Sequence, residues 1–128
     1  MQYLKYFLLI FLIFEYKVTY AQCADIEPNN DYSTATAISG SVVSMPNLCF
    51  TTNTDVDWYK WTYNANVFYI KAKTINASFG NYGLTINVVG NEATIGLVSA
   101  SGSSLDTYLE IYYADGITLM ACNDDNSS

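Results

Sequence analysis

Apolar and polar residues alternate through most of the chain from residue 58 onward. Tyr59, Trp61 and Tyr63 fall on one side of a run whose other side carries Trp58, Lys60 and Thr62. In Val67 to Thr74, Phe68, Ile70 and Ala72 alternate with Tyr69, Lys71 and Lys73. Leu84, Ile86 and Val88 alternate with Thr85 and Asn87, and Leu109 and Ile111 oppose Tyr108, Glu110 and Tyr112. A weaker run holds Ile117, Leu119 and Ala121. Successive side chains of a strand point to opposite faces, so period-two patterns rich in aromatic and β-branched residues predict half-buried antiparallel strands. Asn64-Ala65-Asn66, Gly80-Asn81, Gly90-Asn91, Ser101-Gly102-Ser103-Ser104 and Asp115-Gly116 punctuate them with residues suited to left-handed or Asx-type turns. Tyr32 to Ile38 predicts one helical turn at most, because Ser and Thr hydroxyls compete for backbone hydrogen bonds there. Together these elements predict an all-β, antiparallel β-sandwich with a jelly-roll-like layout.

A different pattern fills the first residues. Lys5 precedes the unbroken apolar run Phe7 to Phe14, and Thr19-Tyr20-Ala21 puts small residues at a cleavage site. This predicts a signal peptide over residues 1–21 and a β-domain over 22–128, secreted or held at the cell surface. The run falls short of the about 20 residues that cross a bilayer, and Glu15 and Lys17 follow it, so a retained anchor fits poorly. A lipoprotein signal acylating Cys23 also fits poorly, since Gln22 stands where a small residue is needed.

Charge narrows the partners. The whole sequence carries −7, and losing Lys5, Lys17 and Glu15 with the leader makes the remainder one unit more negative. Lys60, Lys71 and Lys73 remain, with no Arg and no His. Such a surface repels phosphate backbones and anionic lipid, so neither nucleic acid nor membrane is an expected partner. Imidazole metal sites and His-based triads are excluded. Ser103 and Ser104 lack the Gly-x-Ser-x-Gly context of a hydrolase nucleophile. Asp106 and Glu110, four apart along a strand, would stand about 13 Å from each other, too far for either glycosidase geometry, and Glu110 is read as a solvent-facing strand position. The chain is therefore expected to have no catalytic activity of its own.

Two acidic segments carry the remaining chemistry: Asp25-Ile26-Glu27-Pro28-Asn29-Asn30 and Asp55-Val56-Asp57-Trp58-Tyr59. Closely spaced carboxylate and amide oxygens from more than one piece of chain are what calcium takes as ligands. Pro28 fixes its own φ and pushes Glu27 toward an extended conformation, which stiffens the first piece. Asp25, Glu27, Asp55 and Asp57 brought together would repel one another without a cation. The competing use of such Asp and Asn residues is turn capping on a solvated surface. The Asn123-Asp124-Asp125-Asn126 stretch is read as a solvated turn, and the abundant Tyr residues as cross-strand packing before a stacking platform for sugar or peptide.

Cys23, Cys49 and Cys122 form an odd set in an export context, where disulfides persist. Cys23 and Cys49 each precede an acidic segment, so a bridge between them would hold both segments together. The alternatives are a bridge through Cys122 or three reduced thiols. No Cys-x-x-Cys spacing supports zinc.

The order of these pieces resembles the bacterial pre-peptidase C-terminal domain. Glu27-Pro28-Asn29-Asn30 comes first, then Ser33-Thr34-Ala35-Thr36-Ala37-Ile38, then Asp55-Val56-Asp57-Trp58-Tyr59-Lys60-Trp61. Asn81-Tyr82-Gly83-Leu84, Asp106-Thr107-Tyr108-Leu109-Glu110-Ile111-Tyr112 and Asn123-Asp124-Asp125 follow in the same sense. The resemblance implies a β-sandwich accessory to secreted proteases and other exported proteins, related to the collagen-binding domains of bacterial collagenases. In those domains calcium joins the acidic N-terminal segment to the sandwich. On that likeness Asp25 and Glu27 match the paired acidic positions, Asn29 and Asn30 the amide or acid positions after them, and Asp55 and Asp57 the pair before the aromatic strand. It also implies one or two strands after Asp125, hence a domain lacking its last strands here and attachment to a larger polypeptide. The implied role is non-catalytic: binding an extracellular polymer, protein or polysaccharide, or assisting secretion of an attached enzyme. A spacer domain in a structural or adhesive surface protein is the alternative.

Overall fold

A strand with one apolar face needs a second layer to bury it, and this chain builds that layer from its own strands. The structure, a computed structural model, describes residues 23, 24, 26–52, 54–75, 80–99 and 105–124. The expected leader, Asp25 and the Ser101–Ser104 turn lie outside the described residues. Eight strands are described: β1 (Thr36–Ser39), β2 (Val42–Phe50), β3 (Val56–Tyr63), β4 (Asn66–Thr74), β5 (Gly80–Val89), β6 (Glu92–Ser99), β7 (Thr107–Tyr112) and β8 (Leu119–Asp124). They form a five-stranded sheet, β1-β3-β4-β7-β8, packed on a three-stranded sheet, β2-β5-β6. The protein is an all-β sandwich. No described helix is long and apolar enough to cross a membrane.

The alternation read along the chain sets the core. Tyr59 and Trp61 of β3, Ile70 and Ala72 of β4, and Leu109 of β7 meet Leu48 and Phe50 of β2 and Tyr82, Leu84 and Ile86 of β5. Each fully buried Leu, Ile or Phe contributes about 1.5–3 kcal/mol. On the outer face of the larger sheet, Trp58, Lys71 and Glu110 fall in one cross-strand row.

Four sequence expectations need correction. The sandwich is not wholly antiparallel, since β1 pairs parallel with β3 from Thr36↔Tyr59 to Ser39↔Thr62. Gly80-Asn81 is not a turn but the start of β5, where Gly80 pairs with Phe50 and Asn81 with Cys49. Asn123 and Asp124 end strand β8, pairing with Leu109 and Tyr108, where a turn was expected. Glu110, expected to face solvent, is half-buried and ion-paired with Lys71 at 3.0 Å. The expected single helical turn is a 3-10 turn, Tyr32–Thr34, capped by Asp31 through the Ser33 N–H at 2.8 Å.

Tyr32 folds from that turn onto the outer face, edge-on to Trp58 at 6.1 Å and to Tyr69 at 5.8 Å. Its ring lies against Gly116, where an added Cβ would come within 2.6 Å of it and the backbone φ is +68°. Only glycine meets both demands there. This contact and the β2 bulge at Met45/Leu48 position the N-terminal segment. Pro46 brings no N–H to the bulge, Asn47 takes φ 61°, and the Asn47 carbonyl accepts the Ala24 N–H at 2.9 Å.

Candidate metal centre

The segment from Cys23 to Asp31 runs beside the start of β3 and is fastened at several points. Cys23 and Cys49 form a disulfide, and Cys122 is a free, exposed thiol. The Asn29 carbonyl accepts the Trp58 N–H at 2.8 Å, which extends the sheet by one bond past β1. The Glu27–Pro28 peptide is cis. The Asn29 N–H donates to Glu27 Oε2 at 3.2 Å.

Glu27, Asp55 and Asp57 meet here, each offering a carboxylate oxygen within 4.8 Å of the others. Glu27 is exposed, Asp55 is buried, and Asp57 is fully enclosed. Three ionised carboxylates at that spacing repel by about 3 kcal/mol per pair at an effective dielectric near 20. A cation between them would offset that repulsion.

Asp55 closes the loop into β3. Its Oδ2 accepts the Thr51 N–H at 2.6 Å and the Thr51 hydroxyl at 2.8 Å, and its Oδ1 accepts the Val56 N–H at 3.0 Å. The Asn30 amide, oriented so that both neighbours are satisfied, donates to Asp55 Oδ1 at 2.9 Å and to the Val56 carbonyl at 3.0 Å. So Asp55 caps a turn while lying in the acidic cluster, and Asn30 braces it. Asn29 is buried, and its Oδ1 and the Oδ1 of Asp57 are enclosed without accepting a hydrogen bond, each residue being held through other atoms. Asp25 lies outside the described residues.

The sequence reading missed the support beneath Asp57. The Tyr82 hydroxyl donates to Asp57 Oδ2 at 2.5 Å, and the Tyr59 and Tyr82 hydroxyls are 2.6 Å apart. Burial first, then Tyr59 and the charge of Asp57, push the Tyr82 phenol far above its ordinary range, so it stays a donor at any physiological pH. Phe50 stacks on Tyr82 at 4.4 Å and seals the chain of hydroxyls from water. The available signal was that Tyr82 heads the inward series Leu84, Ile86, Val88, where a phenol needs a polar partner when buried. A shallow depression of about 630 Å³, lined by Glu27, Asn30, Thr51 and Asp55, opens the cluster to solvent. No family model, curated protein or solved structure matches the chain.

Proposed function

We propose that this chain is an exported, non-catalytic accessory and binding module of the pre-peptidase C-terminal kind, in which a calcium ion pins the N-terminal segment to the sandwich. The observation that carries the reading is the convergence of Glu27 from that segment with Asp55 and Asp57 from the head of β3. The donor set is all oxygen, drawn from two pieces of chain and partly buried, which suits a hard cation with a tolerant coordination shell. Backbone carbonyls, water and Asp25 would complete the six to eight oxygens calcium takes. A hydrolytic role for the same acids is disfavoured. Asp57 is enclosed and both Asp55 oxygens are engaged, so no two of these carboxylates can flank a glycosidic bond.

Thermal melting of the exported chain in calcium and in chelator tests the reading. A ligand that binds only the folded state at a hundred times its Kd adds about 2.7 kcal/mol. Millimolar calcium should raise Tm by several degrees, and magnesium by less. Glu27→Gln, on an exposed side chain, should remove most of that rise while the fold persists. Coincident melting curves would sink the calcium reading and leave the turn-capping use of these residues.

A further inference from the structure

The hairpin tips Asn64–Ala65 and Gly90–Asn91 lie at the end of the sandwich away from Asp57, and a cavity of about 420 Å³ opens between them. That size falls within the range of small-ligand pockets. Tyr63 and Phe68, both half-buried, contribute aromatic surface, backed by Trp61 at 5.9 Å and 5.4 Å respectively. Among the described residues no Asp, Glu, Lys or Arg lines it.

Three exposed amides stand at the rim: Asn64 and Asn66 from one tip, Asn91 from the other. Turn geometry accounts for Asn64, which has φ 47°. Asn66, a strand residue paired with Tyr63 and therefore on the inward face, also closes that turn with its side chain. Asn is a poor strand former. The Asn66 amide spends one N–H on the Asn64 carbonyl, at 3.1 Å, and keeps a second N–H and its oxygen.

We propose that this open end binds a neutral hexopyranose unit of an extracellular glycan. A pyranose presents a C–H face that packs on aromatic rings and adjacent hydroxyls that each need a donor and an acceptor. A primary amide supplies both from one planar group. The absence of charge in the lining, on a chain of net charge −7, selects against uronic, sulfated and phosphorylated sugars. The inference rests on the binding-module part of the proposed function and is independent of calcium.

Affinity electrophoresis of the full exported chain, in calcium throughout, tests it. The gels contain hydroxyethylcellulose, glucomannan, dextran or glycol chitin as neutral probes, with polygalacturonate and gelatin as anionic and protein probes. At least one neutral polysaccharide should retard the protein. Asn66→Ala and Asn91→Ala should each weaken that retardation about fivefold, the cost of one lost hydrogen bond, with both variants folded at the assay temperature by circular dichroism. Retardation that survives both variants, or that occurs only with polygalacturonate or gelatin, overturns the pocket and leaves the binding-module reading standing. Retardation by none of the six polymers overturns both.

Discussion

Ile86 and Ile95 sit directly opposite each other on β5 and β6, both facing the larger sheet, yet Ile86 is 1 % exposed and Ile95 is half-buried. The same contrast runs through the molecule. On the side of β2 and β5, Leu48, Phe50, Tyr59, Ile70 and Leu84 are sealed, and even the carboxylate of Asp57 is enclosed. On the side of β6, the inward residues Ile95, Leu97 and Ile111 stay partly open. Strand number explains it, because three strands lie over five. Among the described residues no strand covers β8, whose Ala121 and Asn123 are exposed. Where a layer is complete, a charged group can be buried if hydrogen bonds hold it. Where it is incomplete, apolar surface meets water and is available for a ligand.

Truncating the two isoleucines gives the largest effect and the most direct way to break this contrast. Ile86→Ala removes a side chain that neighbours cannot replace, and a loss of about 3–4 kcal/mol is expected. Ile95→Ala should cost about 1–2 kcal/mol, because water and relaxation already reach that position. Urea unfolding measures both. Equal losses would show that β6 is as well covered as β5.

How much of this was legible in the sequence depends on what each residue had to meet. Tyr59, Trp61, Ile70, Leu84 and Ile86 announced their faces because period-two alternation is local. Strands β2 and β6 hid theirs. Pro46 and Asn47 interrupt β2 with a bulge, and in β6 Gly96 and Val98 on the outer face blur the alternation of Ala93, Ile95 and Leu97. Gly80 and Asn81 looked like a turn because their partners, Phe50 and Cys49, lie some thirty residues away and nothing local announces them. At the candidate site, Glu27, Asp55 and Asp57 were named from their chemistry alone. Tyr82 was not, since its bond to Asp57 exists only once the two sheets face each other.

Glu110 tests how the two sides are joined, with an intermediate expected effect. It lies on β7 at the joint with β4, accepting from Lys71 at 3.0 Å and from the Tyr112 hydroxyl at 3.0 Å, with Lys73 at 4.0 Å. Burial raises its pKa, but the hydrogen bonds from Lys71 and Tyr112 outweigh that and hold it below its ordinary 4.5. A lowered carboxylate pKa means stability that is fully present above pH 4.5 and is lost as pH falls through the folded value. Partial exposure limits the contribution to about 1 kcal/mol or less. Glu110→Gln should therefore be less stable than the parent at pH 7, and the two should converge in acid. The Tyr112 phenol, pushed up to about 12 by burial and by Glu110, adds a loss of stability between pH 10 and 12. A gap between the proteins that persists undiminished into acid would show that the ion pair does not hold the joint.

The smallest effect sharpens the contrast at the open end itself. The β3–β4 tip turns on Asn64 and Ala65, with φ 47° and 62°. A two-residue hairpin with both φ values positive asks for Asn-Gly, because its twist matches the flanking strands. Asn tolerates the left-handed region, whereas Ala brings a Cβ that crowds the following carbonyl at a cost of about 1–2 kcal/mol. Glycine removes that strain but adds freedom to the unfolded chain, worth about 0.4–1 kcal/mol in the opposite sense. The net expectation for Ala65→Gly is a gain of about 0.5–1 kcal/mol, or a Tm rise of roughly 2–6 °C. Ala65 is exposed, so no buried contact is lost. A rise in Tm would locate strain at the tip beside the proposed sugar pocket and show that the open end is not held at its lowest free energy. A fall would mean that the methyl group contributes more than its backbone conformation costs, and that this tip is braced as firmly as the sealed side.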